Sequence, residues 1–184
     1  MGRMVDGEWR TGGLSTDEEG RFQRSPTSFR DWIRADGTGA APVEADRYHL
    51  YVSYACPWAH RTLITRARKG LEDVISLSVV HPFMGEGGWS FDEGPGTRPD
   101  PIHGADDLRE IYLAAAADYT GRVTVPVLWD RVEGTIVNNE SLEIMRMFDV
   151  EFEELATRDV DLYPEGLRDP IDATIEAIYQ PINN

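Results

Sequence analysis

Residues 48–70, YHLYVSYACPWAHRTLITRARKG, place a strand pattern directly before a helix pattern. Side chains alternate in character over 48–53, which predicts a strand. Apolar residues then recur at helical spacing up to Gly70, where the helix is expected to end. Cys56 lies at the junction, and Pro57 occupies the first helical position, where proline is favoured. The segment therefore predicts a strand and a helix that meet at a cysteine.

The segments that follow complete an α/β order. An apolar, β-branched run predicts a second strand, and a long Gly- and Pro-rich loop separates it from a second helix. Val125-Pro126 then leads into a strand, a turn and a return strand, and Asn-Asn-Glu-Ser opens another helix. A βαβ unit joined to a ββα unit is typical of a thioredoxin-like α/β fold. The predicted elements are a strand at 74–80, the loop at 81–104, a helix from 108, strands at 127–129 and 135–137, and a helix from 141.

Both ends of the chain differ from this central part. Residues 1–46 are rich in Gly, Asp, Glu and Arg, and we expect an extended N-terminal arm that docks through scattered aromatic residues: Trp9, Phe22, Phe29 and Trp32. From Asp149 the chain is acidic and linker-like, and Asp169-Pro170 opens a last helix. We expect its apolar face, formed by Ile171, Ile175 and Ile178, to have no partner in this chain. The predicted divisions are an extension at 1–46, a thioredoxin-like domain at 47–149, and a linker with the first helix of a further domain at 150–184.

Charge is the most unusual feature of the composition. The 184 residues include 33 acidic and 18 basic side chains, which gives a net charge of −15, and Lys69 is the single lysine. Such a surface repels phosphate backbones, so we do not expect a nucleic-acid partner. The acidity fits an ordinary acidic protein or a halophilic one, since high salt screens self-repulsion. We favour the halophilic interpretation.

Composition also bears on location and metal chemistry. No apolar run approaches the roughly 20 residues that span a bilayer, and the N-terminus lacks the apolar core of a secretory signal. Cys56 is the only cysteine, so the chain can form neither an internal disulfide nor a multi-cysteine zinc site. The four histidines show no paired-ligand spacing. We therefore expect a cytoplasmic protein with no membrane partner and no metal.

Cys56 is the first candidate for chemistry. At a helix N-terminus, free backbone N–H groups and the helix dipole favour a thiolate, and His60 and Arg61 one turn later add positive potential. A dithiol motif would carry its second cysteine at Ala59, so this thiol would react with an external partner. The alternative is a buried, inert cysteine, which is the commoner case for a lone cysteine. The Cys-Pro junction favours the reactive interpretation.

Val125-Pro126 is a candidate for main-chain recognition. In the thioredoxin-like layout a cis bond at this position exposes the backbone of Val125, which can then pair with a peptide-like ligand. The alternative is a trans proline at the start of a strand, which is the commoner state of such bonds. Arg122, just before this segment, is a candidate partner for a ligand carboxylate, or else a solvated arginine.

The helix start at 139–141 is a candidate for binding a charged ligand. Ser141 and the free N–H groups suit a carboxylate, and the Glu140 side chain suits an ammonium. A plain N-cap at Asn139 or Ser141 explains the same residues, and on the sequence alone it is the better-supported reading. Trp89, in the long loop, either covers the site or fills a groove.

Together these motifs resemble a known family. The segments YACPWAHRT at 54–62, GWSF at 88–91, GRVTVPVLWD at 121–130 and NNES at 138–141 are similar to those of the glutathionyl-hydroquinone reductases. These enzymes form the Xi class of glutathione S-transferases, which is related to the omega class. The stretch from Phe22 to Ile33 also resembles the N-terminal extension of that family. The resemblance covers essentially the whole chain.

The resemblance implies an activity and assigns residues to it. It implies that Cys56 is the nucleophile, beside the structural prolines Pro57 and Pro126. The implied reaction is the glutathione-dependent reduction of glutathionyl-hydroquinones through a Cys56–glutathione mixed disulfide, without a metal. The co-substrate is glutathione or a related thiol such as γ-glutamylcysteine, and a homodimer is expected. The residues expected to hold glutathione are Trp89, Arg122, Val125, Glu140 and Ser141.

Two other functions remain open. One is an omega-like transferase that conjugates glutathione to an electrophile. The other is a truncated thiol-binding module without catalysis. Members of the resembled family continue into an all-helical domain that helps to form the hydroquinone pocket, and this chain stops at about the first helix of that domain. A papain-like hydrolase is disfavoured because no ordered Cys–His–Asn arrangement is present.

Overall fold

The computed structural model describes residues 2–12 and 27–183. None of the helices in these ranges is both long and apolar enough to cross a lipid bilayer. A π-helical turn at Met147–Glu151 continues the third α-helix, and short 3-10 turns follow it. In chain order, the strands and α-helices are β1 (Gly2–Val5), β2 (Glu8–Thr11), β3 (Tyr48–Val52), α1 (Pro57–Lys69), β4 (Ser76–Val79), α2 (Leu108–Ala115), β5 (Val127–Asp130), β6 (Thr135–Asn138), α3 (Ser141–Arg146) and α4 (Arg168–Asn183).

A four-stranded mixed sheet organises the domain, with strand order β4-β3-β5-β6. β3 is parallel to β4 and antiparallel to β5, and β5 is antiparallel to β6. All five residues of β3 are buried, as expected for a central strand covered on both faces. α1 connects the parallel pair, and a tight turn connects β5 to β6. This is the thioredoxin-like order, so the predicted fold is confirmed.

Other segments cover both edges of this sheet. The main chain of the arm pairs with β6, where the Asp31 N–H donates to the Val137 carbonyl at 3.0 Å. On the opposite edge, Val79 and Arg98 exchange two N–H···O bonds of 3.0 and 2.9 Å. An exposed edge presents unpaired backbone groups that invite pairing with another chain. These bridges therefore occupy the two positions at which the sheet could otherwise extend.

The N-terminal arm contains a hairpin that the sequence analysis did not predict. β1 and β2 pair antiparallel across Asp6 and Gly7, whose φ angles are 48° and 78°. Asp-Gly is a preferred sequence for a two-residue hairpin turn because both residues must adopt positive φ. Met4 and Gly121 exchange main-chain bonds of 2.8 and 3.1 Å, which attach the hairpin to the domain. The arm is therefore not extended throughout.

The arm residues after position 26 dock through aromatic side chains, as predicted. The Phe29 ring lies 5.9 Å from the ring of Tyr112 and 5.7 Å from that of Tyr119, measured between centroids. Trp32 is partly buried against the core. Phe22 lies outside the described residues. The domain boundary expected after residue 46 stays a prediction, although this part of the arm shares the core of the domain.

α4 corrects one expectation, because part of its apolar face has a partner in the chain. Ile171 and Ile175 line a groove of about 160 Å³ together with Leu142 and Met145 of α3. Farther along the helix, Ile178 and Ile182 are 38% and 72% exposed. The sequence pattern showed an amphipathic helix but not that α3 presents apolar side chains toward it. The boundary at 149/150 stays a prediction.

His49 in β3 makes the stability of this fold depend on pH. The ring is fully buried, with Nδ1 2.6 Å from Ser76 Oγ and Nε2 2.9 Å from Ser78 Oγ. Burial lowers the pKa of His49 to about 4, and Arg131 acts in the same direction while Asp100 opposes it. Unfolded histidine titrates near pH 6.5. The folded state therefore favours the neutral ring, and its contribution to stability is lost as the pH falls from 6.5 toward 4.

We predict that about 2 kcal/mol of this contribution is lost by pH 5. Urea unfolding of the wild type and His49→Gln at pH 7.5 and pH 5 measures it, since the variant lacks the titrating ring. The wild type should lose about 2 kcal/mol more than the variant between these pH values. His60→Gln, at an exposed position, is the matched control and should keep the wild-type slope. Equal slopes for wild type and His49→Gln would contradict the prediction.

Candidate active site

Cys56 is the N-cap residue of α1. Its φ and ψ angles are −98° and 114°, its side chain makes no capping hydrogen bond, and Pro57 begins the helix. The first turn of α1 contains no acidic residue. The positive end of the helix is therefore offset neither by a capping side chain nor by a nearby carboxylate within that turn. The thiol is half-buried, so a ligand can reach it.

The segment before β5 brings a main-chain acceptor to this thiol. The Val125–Pro126 peptide bond is cis, which confirms the prediction. Cys56 Sγ lies 3.7 Å from the Val125 carbonyl oxygen, although the two residues are 69 positions apart in the chain. Tyr112 of α2 fixes this segment, because its hydroxyl donates to the Thr124 carbonyl at 2.9 Å and accepts from the Thr124 N–H at 3.2 Å.

Glu140, rather than Asn139 or Ser141, is the N-cap residue of α3. Its carboxylate accepts from the Leu142 N–H at 3.4 Å. The Asn139 side chain turns inward and donates to the Tyr112 hydroxyl at 3.0 Å. Ser141 is 3% exposed and forms the first residue of the helix. The sequence therefore located the helix start correctly and assigned the cap to the wrong residues.

Arg61 connects the start of α3 to α1. Its Nε and Nη2 donate to Ser141 Oγ at 3.0 and 2.6 Å, and its Nη2 lies 3.6 Å from Glu140 Oε1. The guanidinium carbon lies 4.9 Å from the centroid of the Trp58 ring. From the sequence, Arg61 was expected to have only a general electrostatic role. The specific contact was not predictable because it joins residues 80 positions apart.

The N-terminal hairpin holds the loop that carries Trp89. The Trp9 indole N–H donates to the Glu86 carbonyl at 3.0 Å. The Trp9 ring also lies so close to Gly88 that a Cβ atom there would be 3.0 Å from it. On the other side, the Trp89 carbonyl accepts from the Leu108 N–H at 2.9 Å. Trp9 thus docks as predicted, and its particular partner is the loop that carries Trp89.

Four of the six residues predicted for catalysis and glutathione binding form two pairs. The other two are Trp89, in the long loop, and Arg122, which precedes the cis proline. Cys56 and Val125 are in contact, while Glu140 and Ser141 share the start of α3. Arg122 is half-buried, and its carbonyl accepts from the Tyr119 hydroxyl at 2.9 Å. In residues 2–12 and 27–183, no group of three or more His, Cys, Asp or Glu side chains is arranged to hold a metal ion. The assignment of individual residues to a ligand stays a prediction.

Residues 55–151 match the family described as glutathione S-transferase, N-terminal domain. The matched segment includes the thiol, the cis bond and the start of α3. It accounts for more than half of the chain, so the match concerns the thioredoxin-like domain and the site built on it.

Known relatives are similar over essentially the full chain. Glutathionyl-hydroquinone reductase YqjG of Escherichia coli is 50% identical over 192 residues, which cover 100% of this chain and 58% of YqjG. A structure of YqjG with bound glutathione aligns with a TM-score of 0.85 at 46% identity, covering 100% of this chain and 56% of that one.

Two further relatives give the same picture. The Xi class GST from Natrialba magadii aligns with a TM-score of 0.91 at 58% identity, covering 100% of this chain and 55% of that one. Glutathione S-transferase omega-like 2 of Schizosaccharomyces pombe is 49% identical over 173 residues, which cover 92% of this chain and 55% of the relative. The chain thus spans little more than half the length of the relatives it matches.

Proposed function

This chain belongs to the glutathione S-transferase family, and from that premise we propose that it binds glutathione and reduces glutathionyl-hydroquinones through a mixed disulfide at Cys56. The observation that carries the proposal is the position of the thiol. Cys56 caps α1 without a side-chain hydrogen bond and lies 3.7 Å from the carbonyl that precedes the cis proline. YqjG, which shares half of its residues with this chain over the aligned length, is named for the same reaction.

The charges of glutathione fit the groups around the thiol. Glutathione carries one ammonium and one carboxylate on its γ-glutamyl residue, and a second carboxylate on its glycine. The Glu140 carboxylate suits the ammonium, and Ser141 with the N–H groups of α3 suits the adjacent carboxylate. The main chain of Val125 suits the cysteinyl peptide, because a sulfur bonded to Cys56 Sγ brings that peptide beside it. Arg122, and Trp89 in the loop, are assigned to the glycine end.

The reaction proceeds in two steps, each an attack of a thiolate on sulfur, and only the second is a thiol–disulfide exchange. The Cys56 thiolate attacks the sulfur of the conjugate, so an S–S bond forms while the bond between sulfur and the aromatic carbon breaks. The electron pair of that broken bond stays on the ring carbon, which takes up a proton and leaves as the hydroquinone. A second glutathione thiolate then attacks the mixed disulfide, releasing glutathione disulfide and the Cys56 thiolate. Each cycle therefore oxidises two glutathione units and reduces one carbon–sulfur bond.

An omega-like transferase is the second candidate, and the similarity to an omega-like relative favours it. In that reaction, the bound glutathione sulfur attacks an electrophile and no bond to Cys56 forms. A related thiol such as γ-glutamylcysteine would keep the γ-glutamyl contacts but lack the glycine carboxylate assigned to Arg122. The reductase and the transferase thus differ in whether Cys56 becomes covalently modified.

Intact-mass spectrometry of the wild-type protein after incubation with a glutathionyl-hydroquinone tests the proposal. We expect an added mass of about 305 Da, reversed by dithiothreitol, together with one equivalent of free hydroquinone. Because Cys56 is the only cysteine, a reducible adduct must be located there. The incubation is run at low salt and in molar KCl, since the net charge of −15 suggests a protein adapted to high salt.

The control uses the parent hydroquinone without glutathione, which should add no mass. Folded protein that binds glutathione but neither gains the adduct nor releases hydroquinone would contradict the reductive reaction. If such protein instead forms a thioether between glutathione and a chloroaromatic electrophile, the transferase is the correct function.

A further inference from the structure

The Ser141 side chain at the start of α3 is held by Arg61. Two guanidinium N–H groups point at the single Ser141 Oγ atom, at 3.0 and 2.6 Å. Ser141 is 3% exposed, and the guanidinium is itself held between the Trp58 ring at 4.9 Å and Glu140 Oε1 at 3.6 Å. The contact thus joins the helix that carries Cys56 to the helix start assigned to the γ-glutamyl group.

The chemistry of the two groups settles which way the hydroxyl proton points. A serine hydroxyl has one O–H donor and two acceptor lone pairs, whereas a guanidinium has donors only. Because Arg61 supplies two donors to the oxygen, Ser141 acts as the acceptor in this contact. Its O–H bond must therefore point away from Arg61 and is available to donate elsewhere. A hydroxyl oriented in this way suits a carboxylate and not an ammonium.

We propose that Arg61 is a positioning residue that fixes the Ser141 hydroxyl as a hydrogen-bond donor to the α-carboxylate of a γ-glutamyl ligand. This inference rests on the proposed binding of glutathione. Arg61 also places a positive charge beside Glu140, which reduces the repulsion between the Glu140 carboxylate and the incoming ligand carboxylate. Arg61 itself acts through Ser141 and Glu140 and need not touch the reacting sulfur atoms.

Calorimetric binding of two probes to the reduced 184-residue protein tests this role. One probe is glutathione, and the other is γ-aminobutyryl-cysteinyl-glycine, which lacks only the γ-glutamyl α-carboxylate. Arg61→Met should weaken glutathione binding about tenfold, as expected for loss of a hydrogen bond to a charged group. The same variant should change binding of the second probe less than about twofold, since that probe has no carboxylate for Ser141 to meet.

Two further variants sharpen the test. Ser141→Ala should discriminate between the probes as Arg61→Met does, and the double variant should bind glutathione no more weakly than Ser141→Ala alone. Arg68→Met, at an exposed position on the same helix, is the matched control for loss of one positive charge and should bind both probes like the wild type. If Arg61→Met does not fold, Arg61→Lys keeps the charge but loses the fork and should show the same discrimination between probes.

Equal weakening of both probes by Arg61→Met would overturn the inference, because it would show only a structural contribution of Arg61 to helix packing. Unchanged binding of both probes would overturn it as well. Failure of the wild type to bind glutathione at all would refute the proposed function instead, so the two failures are distinguishable.

Discussion

Replacement of Cys56 by serine is expected to slow hydroquinone release from a glutathionyl-hydroquinone by at least about a thousandfold while leaving the fold intact. The serine hydroxyl is not ionised at neutral pH and cannot form an S–S bond, so neither step of the reaction can occur. The fold should tolerate serine because the Cys56 side chain makes no capping hydrogen bond. Its sulfur lies 3.7 Å from the Val125 carbonyl oxygen, which is a weak contact to lose.

The same substitution should make the protein more stable. Serine is among the preferred N-cap residues, and its hydroxyl can accept from a backbone N–H in the first turn of α1. We expect the free energy of unfolding to rise by about 0.5–1 kcal/mol relative to the wild type. At the N-cap of α1, serine would stabilise the helix better than cysteine does. Cysteine at this position is expected if activity, rather than stability, determines the residue.

Single-turnover release of hydroquinone, followed chromatographically, gives the rate, and urea unfolding gives the stability. Cys56→Ala is the control for the capping effect, since alanine removes the thiol without offering a cap. Cys56→Ala should lose the reaction, as Cys56→Ser does, but its free energy of unfolding should not rise above that of the wild type. Release at the wild-type rate by Cys56→Ser would remove Cys56 from the mechanism. Conjugation of a chloroaromatic electrophile that survives in Cys56→Ser would support the transferase instead.

Replacement of Lys69 by methionine is expected to lower the free energy of unfolding by about 3–5 kcal/mol. The Lys69 side chain is fully buried in the last turn of α1. Its ammonium donates to the Glu153 carboxylate and, at 2.9 Å, to the Val160 carbonyl, and it lies 3.6 Å from Asp149 Oδ1. The Asp149 side chain is 4% exposed. Methionine would therefore leave a buried carboxylate without its cation, which is the costly half of breaking a buried ion pair.

Lys69 also organises the segment that the sequence analysis treated as a linker. Its carbonyl accepts from the Thr157 and Arg158 N–H groups at 3.1 and 3.3 Å, so the chain after α3 wraps around the end of α1. Gly70 follows with a φ of 69°, a conformation that glycine adopts without steric cost. The single lysine of the protein thus joins α1 to the segment that leads to α4.

Urea unfolding at pH 7 and constant salt measures this effect. Arg68→Met, the adjacent and exposed position, is the matched control and should change stability by less than about 0.5 kcal/mol. Lys69→Met combined with Asp149→Asn should cost less than the sum of the two single substitutions, because the unpaired charge is removed. A loss below about 1 kcal/mol in Lys69→Met would show that the buried pair contributes little.

The N-terminal hairpin shows what was present in the sequence and still not predicted. Asp6-Gly7 is a recognised turn sequence, but the strands on either side have four residues each and only Met4 is fully buried among the first of them. Such short strands lack the alternation that identifies a strand. The hairpin owes its position to the pairing of Met4 with Gly121 and to the contact of Trp9 with the loop at 86–88.

The local order of residues was sufficient to predict the thioredoxin-like fold and a cysteine at the start of α1, and the predicted fold in turn predicted the cis proline before β5. The reactivity of Cys56 stays a prediction. Hydrophobic period, helix caps and proline act over a few residues, so their consequences can be predicted from adjacent positions. The tertiary structure alone decided that Glu140 caps α3, that Arg61 binds Ser141, that Lys69 pairs with Asp149 and that α4 faces α3 across a groove. Each of the last three joins side chains that are distant in the chain, and a polar group finds its partner only once packing has excluded water from both.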